Sequence, residues 1–161
     1  VLADYARLVA EIRPDVVVVM IGANEFEGHV LQGEALEPGS ERWTEVLTER
    51  AGQAIAQWRA EGAPVYWWTT PRMRDTRFLT DDLNAIWDAT ATAWGDGVTS
   101  LDSMVVLGDA SGAYQDRMVD EGGRLVDLRK AQGVHFHEVG ADLLARQLEE
   151  RLVADGWLVD D

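Results

Sequence analysis

Pro14-Asp15-Val16-Val17-Val18-Val19-Met20-Ile21-Gly22-Ala23-Asn24-Glu25 is an apolar run that ends abruptly in a glycine turn bearing an amide side chain. Its β-branched residues, with no polar residue alternating between them, predict a strand covered on both faces, the pattern of a parallel sheet in an α/β protein. In such sheets ligands bind beyond the carboxyl ends of the strands. Gly22 lets the backbone turn and approach a ligand closely, and Asn24 offers both a donor and an acceptor to whatever lies there. Two readings of Asn24 fit equally at this point: a ligand-facing amide, or a helix cap in a surface turn.

Outward from this stretch the chain alternates elements without internal repeats. Residues 3–13 carry Tyr5, Leu8, Val9 and Ile12 at helical spacing and stop at Pro14. Residues 25–40, with Gly28, Gly33, Pro38 and Gly39, read as a long loop. A helix opens at Ser40 or Glu41 and runs to about Gly62, with Trp43, Leu47, Ala51, Ile55 and Trp58 on one stripe. Residues 63–70 predict a second strand and residues 98–103 a third, separated by a helix over 79–94 with Leu83, Ile86, Trp87 and Trp94 turned inward. Residues 108–131 show no clear period. From Val139 onward, Leu143, Leu144, Leu148, Leu152 and Val153 describe a final amphipathic helix, ended by Gly156 and the Asp160-Asp161 tail.

Near that helix lies a second informative segment, Arg129-Lys130-Ala131-Gln132-Gly133-Val134-His135-Phe136-His137-Glu138-Val139-Gly140-Ala141, which holds two of the three histidines in the chain. Together the two segments resemble the SGNH (GDSL-like) hydrolases, a family of serine esterases and acyl transferases. The middle stretch Val65–Arg74, with Asn84, looks like the bacterial extracytoplasmic members. The resemblance implies a three-layer α/β/α domain of flavodoxin-like type with a mainly parallel sheet, spanning residues 1–161 as a single domain. It also implies that Asn24 serves as an oxyanion donor and His135 as the general base, with no cofactor. Location outside the cytoplasm or in the cell envelope, and acylated carbohydrate as substrate, follow from the resemblance alone.

Two positions depart from the family pattern. The first block, a strand ending in Gly-Asp-Ser, is missing, so the nucleophile and the strand expected at the centre of the sheet are expected upstream of Val1. Gly108-Asp109-Ala110-Ser111 is a poor substitute, because it comes late and has an extra residue before the serine. Gln132 stands three residues before His135, where the family carries the triad carboxylate. A glutamine can hold an imidazole but cannot offset its positive charge. Asp127 and Glu138 are the carboxylates that would compensate. The competing expectation is an SGNH-like binding or scaffold domain that has lost its chemistry.

Gly22, Glu25, Arg72 and Arg74 complete the candidate site as substrate-binding residues. The three arginines in Pro71–Arg77 fit either a solvated loop or a clamp for a polar or anionic group. His137 reads as a cap or core residue. Zinc held by His135, His137 and Glu138 lacks further ligands, so no metal is expected. A formal charge of −15 argues against nucleic acid and against anionic membrane surfaces. No apolar run approaches a membrane span, and the absence of cysteine removes both disulfides and a thiolate nucleophile. The partner that the resemblance implies is a small-molecule or glycan ester.

Overall fold

A computed structural model describes residues 2–159, so the Asp160-Asp161 tail lies outside the described residues. The chain forms two compact units, one comprising Val1–Thr70 and Leu79–Leu101, the other Pro71–Phe78 and Asp102–Asp161.

The first unit is built on three parallel strands, β1 (Val17–Val19), β4 (Val65–Trp68) and β5 (Val98–Leu101), in the order β1-β4-β5. Val17 pairs with Val65 and Val65 with Val98. Alternate side chains of these strands, Val17, Val19, Val65, Trp67 and Val98, join one core with helices α1 (Leu2–Ile12), α2 (Glu41–Trp58) and α3 (Thr80–Trp94). Trp67 sits at the middle of it, its ring centroid 5.4 Å from Trp58 and 4.9 Å from Trp87. Such offset aromatic packing adds to simple area burial. Ser40 caps α2 by accepting from Trp43 N at 3.1 Å, and the stripe Trp43, Leu47, Ala51, Ile55 and Trp58 is buried as its spacing predicts.

Several expectations are corrected. β1 is not covered on both faces: Val18 is 46% exposed. β1 is an edge strand, hydrogen-bonded to β4 alone among the described residues, and the run of valines is longer than its paired part. The expected loop over 25–40 holds a β-hairpin, β2 (His29–Leu31) and β3 (Glu34–Leu36), closed by Gln32 and Gly33, both at positive φ. That is the backbone of a two-residue hairpin turn, with glutamine rather than the usual Asn or Asp at the first position. α2 ends at Trp58, four residues before Gly62. Trp94, expected inside, is 39% exposed at the last turn of α3.

The second unit contains the short helix α4 (Met104–Leu107), an antiparallel hairpin of β6 (Arg117–Val119) and β7 (Leu125–Asp127), and α5 (Glu138–Ala154). The hairpin lies in the stretch without apparent period, because its strands are three residues long and its apolar side chains Val119 and Leu125 face outward. Among the described residues no helix is long and apolar enough to cross a membrane.

Replacing the fully buried Ile55 by alanine should cost about 2–5 kcal/mol, whereas Val18→Ala, on the open edge of β1, should stay within about 0.5 kcal/mol. Urea unfolding of both variants against the parent checks the contrast.

Candidate functional site

In the first unit, the chain leaves β1 through Ile21 and turns at Gly22, whose φ of 143° is open to glycine but strained for other residues. A Cβ at Gly22 would stand 2.1 Å from Thr70 Oγ1 and 2.8 Å from Leu83 Cδ2, so both backbone angle and space demand glycine. The turn is locked from three sides. Thr70 Oγ1 donates to Ile21 O at 3.0 Å. The Asn84 side chain clamps the Thr70 backbone, accepting from its N at 2.7 Å and donating to its O at 2.9 Å. Trp43 Nε1 donates to Glu25 O at 3.2 Å.

Asn24 lies inside the 3-10 turn Ala23–Phe26 that follows. It is not a cap: the cap position is Gly22, and no side chain caps the turn. Its amide is exposed and makes no hydrogen bond to the described residues. Glu25 is half-buried, with Oε2 3.2 Å from His29 Nε2, although that nitrogen lacks hydrogen-bond geometry to any described atom. Beside the turn opens a cavity of about 610 Å³, with Ile21 and Glu25 on its wall and Tyr5, Trp58, Trp67 and Trp87 giving it an aromatic lining.

In the second unit, His135 rides on a tight hairpin. His137 N donates to Leu128 O at 2.9 Å, Lys130 N to His135 O at 2.8 Å, and Gly133 N to Lys130 O at 2.7 Å. Gly133, at φ 73°, packs so closely that a Cβ would meet Arg74 Cβ at 2.5 Å and the Tyr114 hydroxyl at 2.7 Å. Gly140, in the first turns of α5, has Leu128 O where a Cβ would go, 2.5 Å away. His135 is exposed, and its ring makes no hydrogen bond among the described residues. Gln132 is exposed on the same turn, and no hydrogen bond joins its amide to that ring. Asp127 is taken up by Arg117, 2.5 Å away, and Glu138 opens the first turn of α5. His137 holds the N-cap position of α5 but gives no side-chain cap.

The arginines are engaged within this unit. Arg74 pairs with Asp116 and donates to Ala131 O on the hairpin. Arg72 donates to Gly112 O at 2.6 Å, while its carbonyl accepts from Arg129 Nη2 at 3.0 Å. Arg77 binds Asp75 and holds that carboxyl at about 2. The Tyr114 hydroxyl, donating at 2.6 Å, and then Arg74 hold Asp116 below the ordinary carboxylate range.

Sequence reasoning assigned no role to Tyr114, Asp116 or Arg129, which knit the His135 hairpin together. Arg129 is the one with a visible signal, since it stands beside the histidine motif. Of the four serines in the chain, Ser40 caps α2, Ser100 donates to Asp88 and Ser103 is fully buried. Ser111 donates to Asp109 at 2.6 Å in an exposed turn. None of these contacts places a serine hydroxyl on an imidazole.

The parallel sheet with its helices is of the SGNH-hydrolase fold class, as its likeness to a solved structure shows. A GDSL-like lipase from Bacteroides thetaiotaomicron VPI-5482 shares that fold with a TM-score of 0.55 at 16% identity, over 96% of this chain and 69% of the lipase chain. The chain itself belongs to the DUF459 family, proteins of unknown function, whose pattern matches residues 2–151. None of the curated proteins matches it in sequence.

Gly22→Ala should displace the Asn24 turn and destabilise the first unit by about 1–3 kcal/mol; urea unfolding and the crystal structure of the variant check this. A second expectation concerns acid. Asp116 has a depressed pKa in the folded chain, so its contribution is present above the ordinary value of 3.8 and is lost as pH falls through the lowered one. NMR signals of Gly133 and Tyr114 should therefore shift with a midpoint below 3.8, and Asp116→Asn should abolish that transition.

Proposed function

We propose that the chain is the larger part of a serine ester hydrolase or O-acyl transferase, with Asn24 as oxyanion donor and His135 as general base. The observation that carries this reading is the locked turn at the end of β1. Gly22, Thr70, Asn84 and Trp43 hold its backbone rigidly while leaving the Asn24 amide free. With the backbone of the donor-bearing turn held in advance, only the Asn24 side chain has to orient when negative charge develops, which favours stabilising an oxyanion.

The nucleophile belongs, in this proposal, to a strand outside these 161 residues. Support comes from the open edge of β1, where a parallel neighbour would find free backbone groups and the exposed Val18. The His135 imidazole would take the serine proton as the serine oxygen bonds to the ester carbon. Asn24 Nδ2–H would donate to the resulting oxyanion, and collapse would expel the alcohol, which regains the proton from His135. The acyl group then passes to water or to an acceptor hydroxyl. The aromatic cavity beside the turn suits the apolar part of an acyl group or the face of a sugar ring, consistent with an acylated glycan as substrate.

A second reading, a binding or scaffold domain without turnover, is favoured by one observation: neither Gln132 nor any carboxylate is hydrogen-bonded to the His135 ring among the described residues.

Esterase kinetics on aryl esters decide between the two. Residues 1–161 alone should be inactive. In the polypeptide that includes the upstream serine, His135→Ala should abolish activity and Asn24→Ala should lower kcat by about 10²–10³. Gln132→Asp should raise kcat, since the analogous acid-to-amide change in a serine protease triad costs roughly 10⁴. Turnover that survives His135→Ala would sink the mechanism. Absence of turnover from the complete polypeptide, with ester binding retained, would establish the scaffold.

A further inference from the structure

Arg129 is 4% exposed, yet no carboxylate is bonded to its guanidinium among the described residues, Asp116 acting on it only at longer range. Nη1 donates to Val134 O at 3.2 Å and Nη2 to Arg72 O at 3.0 Å, while Nε has no partner among the described atoms. The guanidinium lies against two rings, 4.8 Å from the centroid of Phe136 and 5.6 Å from that of Tyr114. Burying a cation without a bonded counter-ion is costly, and what this one gains in return is two hydrogen bonds to backbone carbonyls. A methionine in its place would leave Val134 O and Arg72 O without this donor.

What arginine does that a methionine cannot is join two chain segments, the His135 hairpin and the 71–78 segment, through directional hydrogen bonds. The planar guanidinium reaches the peptide immediately before His135, the 71–78 segment through Arg72, and the Phe136 ring immediately after His135. The carbonyl before the histidine and the ring after it are therefore both held by one side chain, which adds to the backbone hydrogen bonds of the hairpin.

We propose that Arg129 is a positioning residue for His135, fixing the imidazole-bearing segment from within. This rests on the proposed role of His135 as base.

The test compares Arg129→Met, Arg129→Lys and Phe136→Leu in the 161-residue chain by NMR and thermal unfolding. In Arg129→Met the Lys130 and Gly133 amides should exchange about tenfold faster or more, and the His135 ring signals should broaden, while Trp43 and Trp67 indole signals stay near the parent values. Arg129→Lys, which keeps the charge and one carbonyl bond, should restore part of the protection. Phe136→Leu should loosen the same two amides by a smaller factor, and it decides the matter if Arg129→Met does not fold. Unchanged hairpin exchange and ring signals in folded Arg129→Met, or in Phe136→Leu where Arg129→Met is unfolded, overturn the inference. In the complete enzyme, Arg129→Met should lower kcat about tenfold or more with KM nearly unchanged. Activity insensitive to His135→Ala would end the esterase reading while leaving the exchange result standing. Activity lost in His135→Ala but intact in Arg129→Met would end the positioning inference alone.

Discussion

The first unit depends on Trp67. Its indole stands between Trp58 of α2 and Trp87 of α3, so one side chain of β4 fixes both long helices to the sheet. With α2 placed, Trp43 reaches Glu25 O; with α3 placed, Asn84 reaches the Thr70 backbone. Both ties converge on the Gly22–Asn24 turn. The packing of three tryptophans is therefore what makes the candidate oxyanion turn rigid, a link from core to chemistry that runs through two hydrogen-bonding side chains.

The legibility of this fold varies with element length. The helices over 2–12, 41–58, 80–94 and 138–154 are long enough for apolar spacing to repeat, and the strands at 65–68 and 98–101 are paired where the sequence is apolar. Both antiparallel hairpins were invisible because a three-residue strand contains little more than one period of alternation. The β1 reading failed differently: valines describe what a strand prefers, but not which of its edges is paired. Trp94 shows the same limit, since helical spacing points it inward while the helix ends at that residue.

At the candidate site, glycine and asparagine were legible because the chemistry they permit is local: a turn with φ of 143° and an exposed amide both belong to a four-residue segment. The supporting network was not. Asp116, Tyr114 and Arg74 lie up to 42 positions apart in the chain, and nothing in their spacing says that they meet. The cluster of arginines in 71–77 read equally well as clamp or solvent-facing loop; within its unit, two of the three tie backbone carbonyls of later segments.

The open edge of β1 has a consequence for the behaviour of the molecule in bulk. N–H and C=O groups that are unpaired among the described residues, beside exposed Val18, form a template on which a strand of another copy of the isolated chain can add, the usual start of edge-to-edge aggregation. A formal charge of −15 opposes this, since copies repel before their edges meet. That repulsion is screened beyond about 8 Å at physiological ionic strength. Colloidal stability of the isolated chain is thus a property of its acidic surface rather than of its strands, and salt is the variable that controls it.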